Sequence, residues 1–409
     1  MGDNTSTRWH ARLGVVVVLV VLAGVAASCA SGSETTTSDS DTTEGTAATD
    51  TASTATTEAE VLSGADAVAS SEERVAPWLE GTFRPPPEDG PAAVEGAEIY
   101  VVSCGQLLES CSVLVDGVME GADAIGWDAT LVDTGLDFSK AGDAIRQAMA
   151  AGADGAVVVG VDCQHFSGAL DEANAADFPV VVLNAFDCDV TSNGEQEARF
   201  AAQVDFTPEG GDPEQGARDF SGAKVDWAVV ETEGDLKLIN LAQDDLLAIS
   251  LLGEGIDAGV ARCGSCEVVE TVSFNTGDLL DGTLPQKVAS AIVAHPEANA
   301  ISFPYAAAVG LGIAGLADAG RDDLLVLGAE GMPSQYQLLN DGTLDMVMAF
   351  PAAWTGWAAV DTLNRVLSDE PTVDEGVGYQ LVTAAELDGA TDFEGPYDYR
   401  AAYEEIWAG

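Results

Sequence analysis

From Ala97 onward the chain alternates two kinds of segment, and that alternation limits its fold more than any other feature. Short apolar runs recur: EIYVVS (Glu98–Ser103), ATLVDT (Ala129–Thr134), GAVVVG (Gly155–Gly160), PVVVLN (Pro179–Asn184), DWAVVET (Asp226–Thr232), EVVETVSF (Glu267–Phe274), NAISF (Asn299–Phe303) and LLVLG (Leu324–Gly328). Between them lie stretches of helical length with an apolar stripe, as in Leu114, Val118, Ala122 and Ile125, whose spacing puts them on one helical face. The next two helices are expected around Ala141–Ala151 and Ser167–Ala176. Most runs are apolar without alternation, so each strand is covered on both faces, which is the property of parallel sheets between helices. The expected class is α/β, and ligands in such sheets bind beyond the carboxyl ends of the strands.

The first 96 residues read differently. Arg8 and Arg12 precede fifteen apolar residues, Leu13–Ala27, too few to span a bilayer and typical of a secretory leader. Ala26, Ala27 and Ser28 lead into Cys29, and the combination resembles a bacterial lipobox, with Ala26 where Leu or Val is usual. An ordinary cleaved leader with an incidental cysteine is the alternative. From Ala30 to Glu60 there are eleven Thr and no aromatic residue, a composition that cannot bury enough apolar surface to order itself. Residues 1–28 are therefore expected to be a signal peptide, and residues 29–96 a lipid-anchored tether ending in the Pro-rich FRPPPEDGP (Phe83–Pro91). The protein would sit outside the cytoplasm, on the outer face of the cell membrane.

Charge narrows the partners. Sixty-nine acidic residues against fifteen basic ones give a net charge of −54. Nucleic acid is excluded, because its phosphates would be repelled. Scarce Lys with excess acid suits a surface screened by high salt, and no clustered loop of carboxylates suggests a bound metal. Beyond Cys29 six cysteines remain, an even number in an exported chain, which argues for disulfides. Proximity suggests Cys104–Cys111 and Cys263–Cys266, leaving Cys163–Cys188. CGSC (Cys263–Cys266) could instead be a redox dithiol or half a zinc site, although it sits between a helix and a strand and no second such pair completes a zinc set.

The order of parts from Ala97 to Thr383 resembles the type I periplasmic sugar-binding proteins, the group that contains ribose- and galactose-binding proteins. The resemblance is carried by DGVMEGADAIGWDATLVDT (Asp116–Thr134), AAGADGAVVVGVD (Ala150–Asp162), NAADFPVVVLN (Asn174–Asn184), Ala298–Pro333 and Gly342–Leu367. It implies two Rossmann-like lobes joined by three crossovers, near Thr207, Phe350 and Gly376, that close on a ligand. The expected divisions are residues 97–206 for the first lobe, 207–349 for the second, 350–376 returning to the first, and 377–409 for the second lobe's edge and tail.

The resemblance also implies a site, and this chain departs from it. The family's Asp–Arg pair after the fourth strand falls at Asn184–Ala185, an Arg of the second lobe at Leu252, an Asn at Pro304 before Tyr305, and the hinge Gln at Phe350. An Asp becomes Glu330, and an aromatic pair becomes ESC (Glu109–Cys111). Tyr305, Phe274, Phe350 and Trp354 would supply faces, with Asp162, Asn184, Asn275 and Glu330 as polar handles. Phe350 and Trp354 could equally pack the hinge, and Asp162 could cap a helix. No nucleophile–base pair, P-loop or dinucleotide motif is present; Cys163 and His165 lie two residues apart on a loop, which is no catalytic geometry. The resemblance implies a monomeric solute receptor without a cofactor that hands a small molecule to an ABC permease. A ligand-sensing surface receptor is the alternative.

Overall fold

The structure, a computed structural model, describes residues 61–207, 211–243 and 246–409; the leader, Cys29 and the Thr-rich stretch lie outside them. Among the described residues eleven strands form two sheets. β1 (Glu98–Ser103), β2 (Asp128–Asp133), β3 (Gly155–Val159), β4 (Val180–Leu183) and β5 (Ala202–Val204) make the first, in the order β2-β1-β3-β4-β5 and parallel throughout. β6 (Lys237–Gln243), β7 (Glu267–Phe274), β8 (Ala300–Ser302), β9 (Leu325–Glu330), β10 (Met346–Ala349) and β11 (Gln380–Thr383) make the second, in the order β11-β10-β9-β8-β6-β7. Only the β10–β11 pairing is antiparallel. β3 and β4 are buried at every position, as their unbroken apolar runs require.

One expected strand is a helix. DWAVVET lies within the helix Pro213–Glu231, and the strand in that region is the following KLINLAQ, β6. The helix is sandwiched between the helices Ala65–Glu80 and Leu247–Ala261, so Val225, Asp226, Trp227, Ala228 and Val229 are all buried and no stripe shows in the sequence. A helix covered on several sides reads like a buried strand. The start signal is there nonetheless: Asp212 accepts from the Glu214 and Gln215 amides, with Pro213 in the first turn.

Part of the stretch expected to be a tether, residues 29–96, is folded. Ala65–Glu80 is a helix that buries Ala67, Ser71 and Val75, spaced four apart, against the second lobe. Asp226, buried, accepts from Ser71 at 3.0 Å and pairs with Arg74 at 2.7 Å and Arg262 at 2.8 Å. The chain then runs along the third crossover on its way to β1. Thr82 donates to the Tyr379 carbonyl at 2.8 Å and Arg84 to that of Gly376 at 2.9 Å. The Arg84 guanidinium pairs with Asp374 and donates to the Thr207 and Val377 carbonyls at 3.2 and 3.1 Å. Four segments therefore connect the lobes: this strap and crossovers after β5, after β10 and before β11.

The last segment divides between lobes. β11 joins the second sheet, whereas the helix Tyr399–Ala408 packs on first-lobe helices Ala352–Leu367 and Glu109–Ile125. Stacked rings hold it: Tyr399 on Trp354 at 5.6 Å and Trp407 on Trp357 at 5.4 Å. Beneath them Asp361 accepts from Trp407 at 2.8 Å and pairs with the buried Arg365 at 2.6 Å. The helices Glu109–Ile125 and Ala352–Leu367 approach so closely that a Cβ on Gly356 would lie 2.3 Å from the Gly117–Val118 backbone. Three disulfides form, Cys104–Cys111, Cys163–Cys188 and Cys263–Cys266. CGSC is thus a closed staple in this structure.

Candidate functional site

The cleft between the lobes holds a cavity of about 240 Å³. It lies where parallel α/β sheets present ligands, at the carboxyl ends of strands. Asp162 follows β3, Asn184 follows β4, Asp205 follows β5, Gln243 ends β6, Tyr305 follows β8, and Glu330 ends β9. Strand ends converge because the parallel strands of each lobe run toward the cleft.

Backbone conformation aims three of the lining residues. Leu136, Asn184 and Glu330 hold left-handed φ values of 65°, 53° and 79°. A non-glycine residue there costs on the order of 1 kcal/mol or more, and such costs concentrate at ligand clamps. Glu330 receives the Ser110 hydroxyl at 2.5 Å, from the first lobe, and the Ala306 amide at 3.0 Å, from the second. Alongside, the first-lobe Glu109 accepts from the amide of second-lobe Ser334 at 3.2 Å and from its hydroxyl. These contacts latch the cleft on one side. Burial pushes the Glu330 carboxyl up to about 6, opposed by its two hydrogen bonds and reinforced by the nearby Glu109 charge.

The rest of the cavity mixes apolar walls with few charges. Leu246, Ile249, Leu252, Leu279 and Pro304 line the second-lobe side; Leu108, Leu136, Phe138 and Phe186 line the first. Near the hinge, Phe206 stacks on Tyr379 at 4.8 Å and Phe350 meets Phe206 edge-on at 5.2 Å. Burial raises the Asp162 carboxyl, which accepts the Phe186 amide at 2.9 Å. Asp162 precedes the short turn Cys163–His165 without capping it through its side chain.

Of the residues expected at the ligand, Tyr305, Glu330, Asn184, Asp162 and Phe350 line the cavity. Three do not. Phe274 is core, 6.2 Å from the Tyr305 ring, because β7 ends with its side chain turned inward. Asn275 caps the helix Thr276–Leu280 in a reciprocal pair with Asp278. Trp354 is fully buried and donates to the Tyr403 hydroxyl at 3.2 Å. Tyr305 itself donates to Gln243.

Sequence reasoning missed Gln203, Asp205, Phe206, Phe220, Gln243 and Tyr379 in the lining. Gln243 follows from placing β6 correctly, since it is that strand's last residue. Tyr379 and Phe206 lie on crossovers, where no periodicity marks a side chain's direction.

Two α/β lobes hinged over a cavity that the strand ends of both line define a solute-binding clamp. The chain belongs to the periplasmic binding protein domain family, whose pattern matches residues 110–371. These are solute-binding proteins rather than enzymes. No curated protein matches the sequence. The fold is similar to that of an ABC transporter solute-binding protein from Bacillus halodurans with bound myo-inositol: 19% identity over 75% of this chain and 99% of that one, TM-score 0.60. A 5-methylthioribose transporter solute-binding protein from Thermotoga lettingae is similar over 76% of this chain and 99% of its own, at 14% identity and TM-score 0.61. So is a periplasmic solute-binding protein from Actinobacillus succinogenes with bound D-allose, at 14% identity, 71% and 99% coverage and TM-score 0.60.

Proposed function

We propose that this protein captures a sugar or sugar-like solute between its lobes and delivers it to the permease of an ABC transporter, held at the outer face of the membrane by a lipid on Cys29. The observation that carries the reading is the interlobe cavity, lined from both lobes and latched on one side through Ser110–Glu330. A ligand that touches both lobes is bound fully only when they close, so binding and closure are one equilibrium. The related clamps that hold myo-inositol, D-allose and 5-methylthioribose support a polyhydroxylated solute. Asn184, Gln203, Thr276, Tyr305 and Tyr379 offer neutral partners for hydroxyl groups. The mature protein would act as a monomer, with no cofactor needed for capture. Among the described residues no helix is long and apolar enough to cross a membrane.

Calorimetric titration of ribose, galactose, allose, myo-inositol and 5-methylthioribose tests capture. At least one should bind with a micromolar constant or better, and Tyr305→Ala should weaken it. Cys29→Ser should release the protein from the membrane or leave its leader uncleaved. Unchanged membrane retention and lipid labelling would defeat the anchoring reading.

A further inference from the structure

The fixed charges lining the cavity are of one sign. Asp162, Asp205 and Glu330 line it, and among the described residues no lysine or arginine does. His165 is the one lining side chain that can become cationic, and it stands beside Asp162. The buried amine of Lys224 donates to the Phe303 carbonyl at 2.7 Å and does not line this cavity.

Two of the carboxylates share the hinge end with the aromatic cluster. Asp205 and Glu330 both act on the Tyr379 phenol, whose ring stacks on Phe206 and meets Phe350 edge-on at 6.3 Å. Each carboxylate has capacity to spare. Asp205 commits one oxygen to the Thr207 amide and hydroxyl, both at 2.8 Å, and Glu330 commits Oε2 to Ser110 and Ala306. Their other oxygens, like the Tyr379 hydroxyl, have no hydrogen-bond partner among the described residues. His165 Nε2 is likewise buried and unpartnered in the cavity wall. Aromatic rings carry negative faces, and a cation over such a face gains more where water is excluded.

We propose that the solute carries a cationic group, an ammonium on a sugar- or polyol-sized body, seated among Asp205, Glu330 and the Phe206–Tyr379–Phe350 wall. The inference rests on the solute-capture reading above and gives that solute its charge. The hydroxyl-bearing remainder faces Asn184, Gln203 and Tyr305, and Leu246, Ile249 and Leu252 cover an apolar edge. Anionic solutes such as sugar phosphates or uronates are rejected by three carboxylates with no offsetting cation.

The test titrates wild-type protein with matched pairs: galactose against galactosamine, myo-inositol against an amino-deoxy inositol, and 3,3-dimethylbutan-1-ol against choline as a minimal cation. It is accompanied by mass spectrometry of solute released from protein purified from its own cells. At neutral pH the amine of at least one pair should bind at least tenfold more tightly than its parent. Asp205→Asn should remove most of that preference. A melting temperature near wild type shows that the variant is folded, and the wild-type comparison stands without it. Neutral parents that bind as well as their amines, or a neutral or anionic solute released from the cleft, overturn the cationic group and leave solute capture intact. No binding across the pairs and no released solute would overturn both.

Discussion

Closure of the cleft should depend on pH through Glu330, and substituting Gln removes that dependence. In the closed structure burial holds this carboxyl at about 6 rather than 4.5. Opening the lobes separates it from Ser110 and Glu109 and returns it to water, restoring the ordinary value. A carboxyl raised from 4.5 to about 6 corresponds to about 2 kcal/mol, or about thirtyfold in the closed-to-open ratio. The sign follows from the raised value. Below about pH 4.5 the neutral acid is present in both states and closure keeps its full advantage; the advantage is lost as pH rises through about 6. Other groups face the same space: Glu109 on the first-lobe helix, Asp162 and His165 after β3, and Asp205 after β5. The comparison with Glu330→Gln isolates one carboxyl from these, because the amide can still accept from Ser110. Small-angle scattering of ligand-free protein between about pH 4 and pH 7 reads the ratio as a radius of gyration. The wild-type radius should rise across the window more steeply than the variant's. Matching profiles for the two proteins would refute the assignment. If the ligand is cationic, saturating it should shift the wild-type transition to lower pH, because a nearby cation favours the carboxylate.

Two further expectations concern the scaffold. Gly356→Ala drives a Cβ to 2.3 Å from the Gly117–Val118 backbone, so urea unfolding should show a loss of about 3 kcal/mol; a loss below about 1 kcal/mol would mean that the helices separate easily. Arg84→Ala removes the ion pair to Asp374 and the bonds to Thr207 and Val377, and should cost about 1–3 kcal/mol. Native-state hydrogen exchange of residues 81–85 and 376–379 should speed up with it; unchanged exchange would show that the strap does not depend on this side chain.

Most of the architecture was legible because parallel strands announce themselves. β3 and β4 are unbroken apolar runs, rich in Val, that only a sheet covered on both faces can use, and their helices carry a single stripe. Legibility failed where burial came from more than two sides. Val225–Val229 is as apolar as a strand because three layers meet on it, and only Asp212–Pro213 signalled a helix. The helix Ala65–Glu80 was obscured by its neighbours' composition, although Ala67, Ser71 and Val75 mark its buried face. In the site, strand ends such as Glu330 and Tyr305 could be placed by counting from the strand. Trp354 could not be assigned that way: whether it meets the cleft or the core depends on helix Tyr399–Ala408, which arrives from the end of the chain to cover it. Asp205 and Tyr379 belong to crossovers, whose side chains take direction from the hinge rather than from any repeat.

The central claim, that the cleft holds a small solute, is tested most directly by native mass spectrometry of the protein purified without denaturant from its own cells. The account predicts a one-to-one adduct of small-molecule mass, present in wild type and lost or strongly reduced in Tyr305→Ala. A spectrum showing only the bare polypeptide mass, unchanged when the protein is first incubated with the sugar and amino-sugar panel, would contradict it.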